Sequence, residues 1–162
     1  MRYVVRWLER RVRVSRWMGA TPAERRTWGE LLAGVMRASR AGDDDVAVIL
    51  LRDLGRTLGA EALVGSLEYL AERAATPWLT DATSSADQVI GVVVQGADGR
   101  ELDIEQVPYP LRWSARMVAA AANRDSDTQR ALMLAALEDG RLGSCLAILA
   151  QMAAAVPVEG SP

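Results

Sequence analysis

From Thr21 onward, apolar residues return at helical spacing in one segment after another. Trp28, Leu31, Leu32, Val35 and Met36 fall on one stripe, the 3.6-residue signature of a helix with one buried face. A second stripe takes Val46, Ile49, Leu50 and Leu54. A third takes Ala60, Leu63, Val64, Leu67, Leu70, Ala71 and Ala74, and Pro77 is expected to end that helix. The spacing then resumes. Leu111, Trp113, Met117, Val118 and Ala121 predict a fourth helix, and Ala131, Leu132, Ala135 and Leu137 a fifth. Leu142, Cys145, Leu146, Leu149, Met152 and Ala153 predict a sixth.

Polar residues mark the ends of these stripes. Thr21-Pro22-Ala23-Glu24 is a capping box with proline at the first helical position. Threonine and glutamate each satisfy an orphan backbone N–H, and proline has none to orphan. Ala41-Gly42 is the expected stop of the first helix, since glycine accepts the left-handed conformation at low cost. Asp43 or Asp44 is expected to cap the second helix, and Asp125-Ser126-Asp127-Thr128 the fifth.

Two stretches break the pattern. In residues 1–17, Val4, Trp7, Leu8 and Val12 suit a helical face, whereas Val12-Arg13-Val14-Ser15 alternates like a strand; helix is the reading adopted. Met18-Gly19-Ala20-Thr21-Pro22 also has the form of a chain start. In residues 75–109, Thr80 to Gln88 is polar and reads as a loop. Val89–Val94 and Arg100–Glu105 flank Gln95-Gly96-Ala97-Asp98-Gly99, which predicts a small β-hairpin.

The fold expected is mainly α: a helical bundle of about six or seven helices with a small β-hairpin inserted between its halves. The divisions are a basic segment over 1–20, a first helical unit over 21–76, a loop and hairpin over 77–109, a second helical unit over 110–156 and a tail over 157–162. An internal repeat would make the halves two tandem three-helix units. Ala41-Gly42-Asp43 and the Gly55-Arg56-Thr57-Leu58-Gly59 turn have counterparts in Asn123-Arg124-Asp125 and Gly140-Arg141-Leu142-Gly143. Matching Asp43 to Asp125 needs a shift of 82 residues, whereas matching Gly55 to Gly140 needs 85, so the second copy would carry an insertion. On this reading Arg56 and Arg141 occupy equivalent turn positions.

Composition adds what the chain lacks. Half of its 162 residues are hydrophobic, enough for one core. Histidine is absent, and with it the commonest general base and metal ligand. Every cation is arginine, and phenylalanine is missing. With heavy use of Ala, Gly and Val, this suggests a GC-rich genome of the actinobacterial or phage kind. Cys145 is the single cysteine; its place on an apolar stripe reads as a buried hydrophobe rather than a reactive thiol. No apolar run is long enough to span a membrane and no secretory pattern opens the chain, so a cytoplasmic location is expected.

Charge is unevenly spread. Residues 1–26 hold eight arginines against Glu9 and Glu24, a net of +6, while the remainder carries −8. The basic segment could contact nucleic acid, fold onto the acidic body, or pair with another chain. Arg2, Arg6, Trp7, Arg10, Arg11, Arg13, Arg16 and Trp17 are the candidate partner or nucleic-acid contacts, because they mix cationic and stacking groups.

The remaining constellations read as structure. Asp43-Asp44-Asp45 lacks the glycine and distal glutamate of a calcium loop. Gly55-Arg56-Thr57-Leu58-Gly59 lacks the lysine and hydroxyl of a phosphate loop. No serine has a histidine partner, which excludes a Ser-His triad. Neither catalytic residues, cofactor nor metal are expected. The function expected is that of a non-enzymatic helical protein binding a macromolecule or itself, of the phage inhibitor, immunity or adaptor type. The alternative is a nucleic-acid-binding regulator that uses the arginine-rich N-terminus.

Overall fold

The computed structural model describes residues 20–80, 91, 93–95 and 100–157. The candidate contacts Arg2 to Trp17 lie outside the described residues, as do Val89, Ile90 and Val92 of the first expected strand. Six α-helices occur among the described residues: α1 (Pro22–Arg40), α2 (Asp44–Leu58), α3 (Ala60–Thr80), α4 (Tyr109–Ala122), α5 (Ser126–Glu138) and α6 (Leu142–Ala155). A short 3-10 turn covers Ile104–Gln106. The chain divides into two compact units between Tyr69 and Leu70, a point inside α3.

In the first unit, α1 begins as its sequence dictates. The Thr21 hydroxyl accepts from the Glu24 N–H at 3.2 Å, and the Glu24 carboxylate accepts from the Thr21 N–H at 2.7 Å. Trp28, Leu32, Val35 and Met36 are buried. At the far end Gly42 takes φ +75°, and the Gly42 and Asp43 N–H groups donate to the Ser39 and Ala38 carbonyls. That pair of bonds is a Schellman stop. The Asp43 side chain accepts from the Val46 N–H and starts α2.

The buried face of α2 differs from the expected one. Ala47, Leu51 and Leu54 are in the core, whereas Val46 and Ile49 are exposed. Val46 to Leu51 is a continuous apolar run, so periodicity alone leaves the face undecided. Close approach of α1 helps to decide it: a Cβ added at Gly34 would lie 3.1 Å from Leu50 Cδ1. Trp28 then reaches across 38 residues. Its indole N–H donates to the Ser66 hydroxyl at 2.8 Å, and that hydroxyl donates to the Ala62 carbonyl. Tyr69 meets the Trp28 ring edge-on at 6.0 Å.

In the second unit, Trp113, Met117, Val118 and Ala121 of α4 are buried, as are Cys145, Leu146, Leu149 and Ala153 of α6. Both sets fall on the expected stripes. The α4–α5 turn repeats the Schellman bonds, with Arg124 and Asp125 N–H groups donating to the Ala121 and Ala120 carbonyls. Asp125 caps α5 by accepting from the Thr128 N–H at 3.0 Å. Trp113 donates its indole N–H to the Leu132 carbonyl at 2.7 Å. The Ser114 hydroxyl donates to the Cys145 carbonyl at 3.1 Å. The C-terminus of α6 lacks a glycine stop. Arg73 of α3 takes that role, donating to the Ala153 and Val156 carbonyls at 3.0 and 2.8 Å.

Several expectations are corrected. The β-hairpin is not seen among the described residues, which include no strand. Its remnant is a single antiparallel bridge, Gln95 to Glu101, with the Leu102 N–H donating to the Val94 carbonyl. Asp103 turns the chain into the 3-10 segment by accepting from the Glu105 N–H, which cuts the second strand short. Val93 and Leu102 are exposed, so the pair lacks the buried face that a two-stranded ribbon needs. Pro77 does not end α3, which continues to Thr80. The fifth stripe is displaced: α5 buries Ala136 and exposes Ala131, Ala135 and Leu137.

The second likeness between the halves also fails. Arg56 lies within the last turn of α2, whereas Arg141 is the N-cap of α6. Gly55 is helical, whereas Gly140 holds φ +65° in a turn. The 82-residue register fits the first turn of each half; the 85-residue register joins positions of different geometry.

Candidate functional site

Large apolar side chains left on the surface concentrate on the second helix of each hairpin. On α2, Val46 and Ile49 are 40% and 48% exposed. On α5, Leu134 and Leu137 are 49% and 59% exposed. These values are high for branched aliphatic residues one helical turn apart, and paired exposure marks a surface that contacts another molecule more often than scattered exposure does.

The α5 surface follows from its sequence. Ala131 to Leu137 is an unbroken apolar run. A helix cannot bury all of it against two neighbours. Ala136 is buried and Leu132 and Met133 are half-buried, which leaves Leu134 and Leu137 outside. Asp127, Arg130 and Glu138 are exposed with them.

A polar cluster occupies the start of α4 and the α5–α6 turn. Glu105 pairs with Arg112, and with Arg116 at 2.9 Å. The guanidinium groups of Arg112 and Arg141 lie 5.7 and 5.0 Å from the Tyr109 ring centre, within cation–π range. Burial and then the neighbouring Asp139 carboxylate raise the Tyr109 phenol above its ordinary value. The phenol is therefore neutral near pH 7. It serves the cluster as a ring platform and a hydroxyl.

Residues with chemical potential are placed structurally. Cys145 is fully buried, and burial pushes its thiol up to about 11. A thiolate is thus scarce near neutral pH, and the side chain packs as a small hydrophobe. Asp43 is a helix cap, with Asp44 and Asp45 in the first turn of α2. Asp125 is held below the usual carboxylate range by hydrogen bonds from the Thr128 side chain and backbone. Among the described residues, no group of three or more His, Cys, Asp or Glu side chains gathers to hold a metal ion. No helix among them is long and apolar enough to cross a membrane.

The candidate contacts Arg2, Arg6, Trp7, Arg10, Arg11, Arg13, Arg16 and Trp17 are neither brought together nor separated by the described structure. The α5 surface was missed from sequence because Leu137 reads as core on the expected stripe. The signal available was the length of the apolar run, which exceeds what one buried face requires. Comparison with protein-family profiles, with curated proteins and with solved structures finds no match for this chain.

Proposed function

We propose that the chain is a non-enzymatic helical interaction protein, acting in the cytoplasm by binding a macromolecular partner or a second copy of itself. The observation that supports this is the pair of exposed aliphatic residues on the second helix of each hairpin: Val46 with Ile49, and Leu134 with Leu137. Both helices are capped by aspartate, so each presents its apolar residues on a fixed backbone. A rigid helix face loses little conformational entropy on docking. The arginine-rich residues 1–17, with a net charge of +5, favour a second reading in which the chain binds nucleic acid.

Two measurements on the full chain at physiological salt separate these readings. Sedimentation detects self-association and complexes with a captured protein; fluorescence anisotropy detects binding to duplex DNA. The expected result is a protein complex that weakens when Val46, Ile49, Leu134 and Leu137 are replaced by aspartate. Tight DNA binding that falls steeply with salt, and is lost when Arg10, Arg11 and Arg13 become glutamine, would establish the nucleic-acid reading instead.

A further inference from the structure

We propose that α5 packs antiparallel on α5 of a second copy of this chain, about a two-fold axis that passes at Leu134. The proposal rests on the interaction reading above and names its partner. Asp127, Arg130, Ala131, Leu134, Leu137 and Glu138 are all exposed. Their spacing puts them on one helical face, opposite buried Ala136.

That face is complementary to itself in one orientation only. In an antiparallel pair centred on Leu134, a residue a given distance before the centre meets the residue the same distance after it. Arg130 lies four positions before Leu134 and Glu138 four after. Each arginine therefore shares a layer with the glutamate of the second copy, and symmetry supplies the contact twice. Ala131 and Leu137 lie three positions on either side, so a small side chain meets a large one and the helices can approach closely. A parallel arrangement would set Arg130 on Arg130 and Glu138 on Glu138, which is repulsive.

The outer face of α2 fails the same test. Antiparallel pairing about Ile49 brings Asp45 onto Asp53 of the second copy. Exposed apolar residues alone thus do not single out a self-association surface. The charge order on α5 does, with the apolar centre and opposite charges at its ends that coiled-coil partners use to set orientation.

The test is equilibrium sedimentation of the full chain across the micromolar range, with far-ultraviolet circular dichroism and melting to confirm that each variant is folded. The wild type is expected to show a monomer–dimer equilibrium. Leu134→Asp should raise the dimer dissociation constant by roughly tenfold or more, the scale set by losing a central apolar contact. Arg130→Glu and Glu138→Arg should each weaken the dimer, because each sets like charges in both symmetric layers. The double variant Arg130→Glu/Glu138→Arg should recover most of the loss. Residues 130 and 138 are eight positions apart on one helix, so no contact within the chain mimics that recovery. A chain that stays monomeric overturns the proposal, as does a dimer indifferent to Leu134→Asp or a double variant that recovers nothing. A monomer that captures another protein, or a dimer formed elsewhere, leaves the interaction reading standing. A monomer that binds DNA in a salt-dependent way removes both.

Discussion

The hairpins α1–α2 and α4–α5 close with the same backbone bonds and then bury different amounts of their second helix. Shifting α1–α2 by 82 residues sets Ala41-Gly42-Asp43 on Asn123-Arg124-Asp125 and Leu51 and Leu54 on Met133 and Ala136. Leu51 and Leu54 are fully buried, whereas Met133 is half-buried and Ala136 brings only a methyl group. The turns match because they are built from local chemistry: a left-handed residue, two N–H donors and an aspartate cap. The depth differs because it depends on what each helix packs against. Equal caps therefore do not imply equal cores, and the shallower helix is the one with more apolar surface to spare.

The largest expected contrast follows directly. Leu51→Ala should cost about 2 to 5 kcal/mol in denaturant unfolding, as buried leucine truncations do. Met133→Ala, at the equivalent position, should cost about 1 kcal/mol or less, because part of that side chain is already in water. Equal losses would break the comparison.

A smaller contrast concerns the tryptophans. Trp28 donates to the side chain of Ser66, and Trp113 to the backbone of Leu132. Ser66→Ala removes the hydroxyl that accepts from the buried Trp28 indole and should cost about 1 to 3 kcal/mol, on the scale of a lost buried hydrogen bond. Leu132→Ala leaves the acceptor of Trp113 in place. Its indole N–H should stay protected from hydrogen exchange, whereas that of Trp28 in Ser66→Ala should exchange faster.

The turns themselves should respond with opposite signs. Gly42 holds φ +75° and Arg124 holds φ +58°. Gly42→Ala should destabilise by about 1 kcal/mol, and Arg124→Gly should stabilise by up to about 1 kcal/mol, because an L side chain is strained in that region. Thermal melts of the two variants check the signs.

The smallest expected effect is on the acid limb of stability. Glu24, in the first hairpin, is lowered from an ordinary 4.5 by hydrogen bonds from Thr21; Asp125, in the second, is lowered from an ordinary 3.8 by those from Thr128. A depressed carboxyl contributes stability that is present above its unfolded value and lost as pH falls through the folded one. Both contributions should be complete at neutral pH and decline below about pH 4. Glu24→Gln and Asp125→Asn should each flatten that decline, measured as melting temperature against pH.

Sequence alone determined the parts whose causes lie within a few residues. The Thr21–Glu24 box, the stop at Gly42 and the aspartate caps of α2 and α5 depend on residues meeting their own neighbouring backbone. The buried residues of α1, α4 and α6 also fall on the stripes expected from their spacing. The buried faces of α2 and α5 were not legible. Val46 to Leu51 and Ala131 to Leu137 are continuous apolar runs with no phase to read, so the face was chosen by the neighbouring helices. The same holds for bonds that join distant residues, Trp28 to Ser66 and Arg73 to the end of α6. The Val89–Glu105 segment shows the converse. Its β-branched residues favour a ribbon locally, but among the described residues Val93 and Leu102 are exposed and the pairing is the single bridge Gln95 to Glu101. Tertiary packing therefore decided which apolar residues became core and which were left on the surface. Burial is a property of two packed elements, and the sequence of either one specifies only what it can offer.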